Sequence, residues 1–76
     1  MRDEFEQNYI KIGLKVSYYR KLRKLTQEKL AEKMGVATSF IGQIEAPNIY
    51  KPISLDTLFR IAKALDVSAY KFLDFD

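Results

Sequence analysis

The chain has 76 residues, of which 47% are hydrophobic and 30% charged, and this balance predicts one small folded domain over residues 1–76. The absence of cysteine and histidine removes disulfides, thiol nucleophiles and the usual zinc ligands, so we expect no catalytic residues, no metal and no cofactor. No apolar run approaches the length of a membrane span, and the acidic start does not resemble a signal peptide. We therefore expect a cytoplasmic protein that is not an enzyme, with no membrane contact and no small-molecule ligand.

Positive charge is concentrated in one early part of the chain. Residues 9–33 hold eight basic side chains against two acidic ones, whereas acidic side chains outnumber basic ones in residues 1–8 and 34–76. A basic segment of this kind fits a solvated helix face or a nucleic-acid footprint, and charge alone favours the solvated face.

Apolar periodicity predicts a first helix over residues 3–23, in which Ile12, Val16 and Tyr19 recur at the spacing of one helical face. Thr26 is a suitable N-cap for a second, short helix.

That second helix ends near Gly35, because glycine readily takes the left-handed conformation that terminates helices. A third helix over residues 38–46 turns Ile41 and Ile44 inward and leaves a small, polar outer face. Residues 47–53 form a loop.

Ser54 is a predicted cap for the fourth helix, and Ser68 for a last short helix that runs to about Leu73. The buried stripe of the fourth helix contains Leu55, Leu58, Ile61, Ala62 and Leu65. Together the patterns predict an all-α fold of five helices with no strand.

The run LTQEKLAEKMGVATSFIGQIE places two short helices on either side of a turn, which is helix-turn-helix spacing at helices two and three. It resembles the lambda-repressor-like family, of the Cro, phage-repressor or XRE type, and the resemblance covers about residues 12–73. Residues 1–11 would then extend the first helix. The residues that agree in register are Thr26, Gln27, Leu30, Ala31, Gly35, Val36, Ile41, Ile44, Glu45, Leu58, Ile61, Ala62, Val67 and Ser68.

The resemblance implies a sequence-specific transcriptional regulator of double-stranded DNA, most simply a repressor, that acts as a homodimer on an inverted repeat. In a bacterium or phage it would be associated with the nucleoid. The alternative is a protein-interaction or RNA-associated adaptor that keeps the fold without binding an operator. The implied base contacts are Thr38, Ser39, Gly42 and Gln43, and the implied phosphate contacts are Gln27, Phe40, Asn48, Tyr50 and Lys51.

Arg20 and Glu45 occupy positions where the family has a salt bridge between the first helix and the end of the recognition helix. Helical geometry also places Glu45 near the buried side of the third helix. The alternative is two independent surface charges.

Two departures from the family pattern affect local structure. Ala37 stands where a Ser or Thr usually caps the recognition helix, so Thr38 or Ser39 would cap it instead. Lys24 stands where a glycine is common after the first helix.

A second apolar stripe, Leu14, Tyr18 and Leu22, lies on the first helix at positions that the family usually fills with polar residues. The aromatic end of the chain would cover it, or it would form a subunit interface. The candidate interface residues are Leu14, Tyr18, Leu22, Tyr70, Phe72 and Phe75, of which Phe72 is also a candidate core residue.

Overall fold

The computed structural model describes residues 4–75, which form four α-helices and one 3₁₀ helix, with no strand in this part of the chain. The α-helices are α1 (Glu6–Leu22), α2 (Gln27–Met34), α3 (Thr38–Glu45) and α4 (Leu55–Leu65), followed by the 3₁₀ helix Ala69–Phe72. The all-helical prediction is confirmed, but the last predicted element is a single 3₁₀ turn rather than a fifth α-helix. It has four residues and no side-chain hydrogen bond at its N-cap, Ser68.

The predicted signals at the ends of α2 and α4 act as expected. The Thr26 hydroxyl accepts a hydrogen bond from the Lys29 backbone N–H at 3.0 Å, and the Ser54 hydroxyl accepts one from Thr57 at 3.1 Å. Gly35 ends α2 with a φ of 70°. Local capping chemistry therefore sets both ends of α2 and the start of α4.

The turn after α1 contains a non-glycine residue in a left-handed conformation. Arg23 is the C-cap, and Lys24 follows with a φ of 61°. The Leu25 backbone N–H then donates to the Arg20 carbonyl at 3.1 Å, which closes the turn. This conformation explains why a glycine suits the Lys24 position. The helix begins at Glu6 and residues 4 and 5 form a turn, so the predicted start near residue 3 was too early; residue 3 itself lies outside the described residues.

The core is built from one face of each α-helix together with Phe72. Its buried apolar residues are Ile12, Val16, Leu30, Ala31, Ile41, Ile44, Leu58, Ile61, Ala62, Leu65 and Phe72. The Phe72 ring has no exposed surface and packs edge-on against Tyr19, with 5.4 Å between centroids. Phe72 is therefore a core residue, and its assignment to a subunit interface was wrong. No helix among residues 4–75 has the length and apolar character needed to cross a membrane.

Gly13 brings α1 into direct contact with the backbone of α3. A Cβ added to Gly13 would overlap the carbonyl oxygen of Ile44 and lie 3.0 Å from its carbonyl carbon. Any larger residue would push the two helices apart, so the position of α3 depends on this glycine.

Candidate nucleic-acid interface

The outer face of α3 carries polar side chains that are open to solvent. Thr38, Ser39 and Gln43 are exposed, and none of the three forms a side-chain hydrogen bond with another described residue. The N-cap residue Ala37 has an extended backbone, and no side chain caps the helix. Neither hydroxyl is therefore used for capping, and all three polar groups are available to a ligand.

Gln27, at the start of α2, lies against the middle of this face. A Cβ added to Gly42 would lie 3.6 Å from the Gln27 Oε1, so the N-terminus of α2 and the outer face of α3 are within side-chain contact. The Gln27 Nε2 donates to Glu45 Oε1 at 3.0 Å. Because a side-chain amide has two N–H donors, one bond to Glu45 leaves the other for a phosphate.

Arg20 and Glu45 form a buried, bidentate ion pair. The Arg20 Nε donates to Glu45 Oε2 at 2.7 Å and Nη2 donates to Oε1 at 2.9 Å, while Nη1 donates to the Leu25 carbonyl at 2.7 Å. The two residues are only 7% and 6% exposed, so they are not independent surface charges. The hydrogen bonds to Glu45 raise the pKa of Arg20 against the opposing effect of burial, and the guanidinium stays charged. The pair ties α1 to the end of α3.

The loop after α3 carries the remaining predicted phosphate contacts. Asn48 is exposed, Tyr50 is half-buried, and the Lys51 ammonium lies 5.5 Å from the centre of the Phe40 ring. Phe40 itself packs against the core, and its backbone N–H donates to Ala37 at 3.0 Å. Its side chain therefore supports Lys51 through a cation–π contact, and we assign it this role in place of a phosphate contact.

An open cleft of about 390 Å³ lies between α1 and the start of α2 and reaches Gly42 of α3. Gln27 and Gly42 line one side of it, and Leu14, Ser17 and Lys21 line the other. Sequence reasoning missed Lys21 as a cation beside the interface. The signal was available, since Leu14, Ser17 and Lys21 follow the i, i+3, i+7 spacing of one helix face.

Comparison with known proteins finds helix-turn-helix relatives of this chain. A helix-turn-helix family model matches residues 11–72. SinR of Bacillus subtilis is 38% identical over 63 residues, which are 83% of this chain and 56% of SinR, so the chain spans about half the length of that regulator. The structure of SinR in complex with DNA superposes with a TM-score of 0.75 at 38% identity, covering 83% of this chain and 98% of that one.

Two further relatives are a control protein and a repressor. The control protein C.SmaI of Serratia marcescens is 40% identical over 58 residues, 76% of this chain and 67% of its own. The immunity repressor of Bacillus phage phi105 is 43% identical over 56 residues, 74% of this chain and 38% of its own. With a family model over most of the chain and regulators of this kind among its relatives, the chain belongs to the lambda-repressor-like, XRE-type family of helix-turn-helix proteins.

Proposed function

We propose that the protein is a transcriptional regulator that binds double-stranded DNA at a specific sequence, with α3 in the major groove. The observation that carries this proposal is the outer face of α3, where Thr38, Ser39 and Gln43 are exposed and unpaired within residues 4–75. An α-helix fits the major groove, and a glutamine amide can pair with both N6 and N7 of adenine. Gly42 allows the helix backbone to approach the bases closely.

Phosphate-binding groups surround this face. The free backbone N–H groups at the start of α2 attract anions, and the second N–H of the Gln27 amide adds a donor. Lys51 supplies a positive charge from the loop, and Asn48 and Tyr50 lie beside it in the chain. Contacts of this kind position a protein on DNA, while base contacts select the sequence. SinR in complex with DNA and the phage immunity repressor support the same assignment, with repression as the simplest activity.

We further propose that the protein binds as a homodimer to an inverted repeat, with half-site centres about 34 Å apart. The α3 helix has only eight residues and reads few base pairs, too few to select one site in a genome. A twofold pair doubles the number of bases that are read.

An apolar groove formed by the start of α1, the start of α4 and the end of the chain is the surface we assign to this dimer. Phe5, Leu55 and Leu73 are 54%, 63% and 48% exposed along it, and Ile53 and Phe75 also contribute to its lining. The residues that line this groove in the described part of the chain are uncharged, and the Lys11 ammonium lies 5.7 Å from the centre of the Phe75 ring. A largely apolar patch suits pairing with a second copy of itself.

The proposal is tested by selecting bound sites from a random pool of duplex DNA and measuring affinity by fluorescence anisotropy. Gln43→Ala should weaken binding to the selected site by about 1–3 kcal/mol and relax its preference at one base pair, because a bidentate base contact is lost. Gln7→Ala, a change of the same residue type on the exposed surface of α1, should leave binding unchanged.

Two results would oppose the proposal. If no duplex sequence is enriched, the RNA-associated or protein-interaction adaptor becomes the better assignment. If a site is enriched but Gln43→Ala and Gln7→Ala bind it equally well, Gln43 does not read bases.

A further inference from the structure

The outer face of α1 carries an apolar ridge that no described residue covers. Leu14, Tyr18 and Leu22 are 46%, 59% and 57% exposed and follow one another at i, i+4 and i+8, opposite the buried face of the helix. We call these three residues the helix-one ridge; it is about 12 Å long at the rise of an α-helix. The end of the chain does not fold over it, because Phe72 lies in the core and Phe75 lines the apolar groove.

From Lys11 onward, the charged side chains of α1 around the helix-one ridge are all basic. Between Lys11 and Lys24 the sequence contains no acidic residue. Lys15 and Lys21 form no ion pair with another described residue, and the Arg23 guanidinium donates to backbone carbonyls at the end of α4. A second copy of the ridge would bring a second set of these lysines against the first, which is unfavourable. Carboxylates on a partner would instead complement them.

The shape of the helix-one ridge favours a helix as the occupant. Apolar side chains at i, i+4 and i+8 form the kind of ridge that fits into the groove of a second helix. Tyr18 is held edge-on by Tyr19 at 4.9 Å between centroids, so the central contact is ordered before binding. A lipid surface needs a broad apolar face, whereas the helix-one ridge is a single row of three side chains. Nucleic-acid phosphates would not cover three apolar side chains.

We propose that the helix-one ridge binds an acidic, amphipathic helix of a protein partner, and that this partner competes with DNA. The competition follows from position, because Leu14, at one end of the ridge, lines the cleft that Gln27 and Gly42 line from the other side. A partner helix there would place carboxylates beside the phosphate-binding groups, where they repel DNA. The competition with DNA rests on the proposed function, whereas the binding of a partner helix to the ridge does not.

The docking is tested with a synthetic amphipathic helix of about 20 residues, long enough to be partly helical alone, with leucines at i, i+4 and i+8 flanked by glutamates. A control peptide carries lysines in place of the glutamates. By fluorescence anisotropy the glutamate peptide should bind the full chain at least about tenfold more tightly than the lysine peptide, and more weakly as salt is raised.

Surface variants locate the binding site. Tyr18→Ser and Leu22→Ser should each weaken binding of the glutamate peptide by about tenfold, since each removes an apolar contact of the ridge. Phe59→Ser removes an aromatic side chain of similar exposure on α4, 56% against 59% for Tyr18. It should leave binding of the glutamate peptide unchanged. Circular dichroism establishes that each variant is folded, and the Leu22 variant tests the site even if Tyr18→Ser disturbs Tyr19.

Four results would overturn the docking. The first two are equal binding of the two peptides and peptide binding that neither ridge variant weakens. The other two are self-association in sedimentation, or binding of the chain to anionic vesicles, that the ridge variants abolish. For the competition, the glutamate peptide should displace labelled DNA from the wild-type chain but not from Leu22→Ser. If the glutamate peptide binds without displacing DNA, the proposed competition is wrong, but the proposed binding of a helix to the ridge stands. Failure to bind any DNA in the absence of peptide would oppose the proposed function alone.

Discussion

The Arg20 guanidinium makes three hydrogen bonds, to both oxygens of Glu45 and to the Leu25 carbonyl. Arg20→Ala would leave the Glu45 carboxylate buried without its cation, and we expect a loss of about 3–5 kcal/mol in the free energy of unfolding. Urea denaturation measures this loss. Arg60→Ala is the matched control, because its ion pair with Asp56 is exposed on the surface of α4 and its removal should hardly change the denaturation midpoint.

A double-mutant cycle with Glu45→Gln isolates the interaction between the two side chains. The combined loss should be smaller than the sum of the single losses, since each single change already breaks the pair. Additive losses would mean that the two residues stabilise the fold independently. The raised pKa of Arg20 means that its positive charge is lost only in strong alkali, so the cycle should give the same coupling at pH 6 and pH 8.

Lys24 holds a left-handed conformation that costs a lysine about 1–2 kcal/mol. Lys24→Gly should therefore raise the free energy of unfolding, by about 1 kcal/mol or less once the greater freedom of glycine in the unfolded chain is counted. Lys63→Gly, made at an exposed helical position of α4, should lower it by about 1 kcal/mol. A loss of stability in both variants would show that the turn after α1 does not favour glycine.

Two glycines lie where helices pack, and they differ in the space around them. Gly13, between α1 and α3, has no room for a side chain, whereas Gly42, between α2 and α3, has room for a methyl group. Gly13→Ala places a methyl group against the Ile44 backbone and should destabilise the fold by about 3 kcal/mol. Gly42→Ala meets only the Gln27 Oε1 at ordinary contact distance and should stabilise α3 by up to about 1 kcal/mol.

The same pair of variants separates stability from DNA affinity. If the α3 backbone approaches the bases at Gly42, Gly42→Ala should bind the selected site more weakly although it is the more stable protein. Thermal denaturation and anisotropy on the same samples give both quantities. Unchanged affinity would show that Gly42 is tolerated in α3 without a role in DNA approach.

The elements that sequence reasoning placed correctly carry local signals. Thr26 and Ser54 cap their helices, and Gly35 ends α2, because the relevant hydrogen bonds and dihedral angles involve neighbours in the chain. The contact of Gln27 with Glu45 could not be predicted in this way, since it depends on how two helices pack. For the same reason the sequence leaves Phe72 as a candidate for both the core and the interface, and only its packing against Tyr19 shows that it turns inward.

At the scale of the whole molecule, we expect two chains related by a twofold axis to bind one inverted repeat. Leu55→Glu places a charge in the apolar groove and should reduce binding to the full inverted repeat by at least about tenfold, because the two half-sites are then bound independently. Binding to an isolated half-site should stay unchanged. Phe59→Glu, an equally large change at an exposed apolar residue of α4 outside this groove, should leave both affinities unchanged.

Sedimentation on the selected site provides the stoichiometry. Two chains per inverted repeat are expected at saturation. One chain per site, together with a selected sequence that lacks twofold symmetry, would contradict the homodimer.

Arg23 joins parts of the chain that are far apart in sequence. Its Nε donates to the Leu65 carbonyl at 2.8 Å and its Nη2 to the Asp66 carbonyl at 2.8 Å, across 42 and 43 positions. The whole helix-turn-helix lies inside the loop that these bonds close. The packing of α2 against α4 therefore forms only after a long loop has closed, whereas the packing of α2 against α3 is local. Closing that loop slows folding relative to a bundle with purely local contacts. In hydrogen exchange, the amides of α3 should then open together with those of α1 and α4, as one cooperative unit.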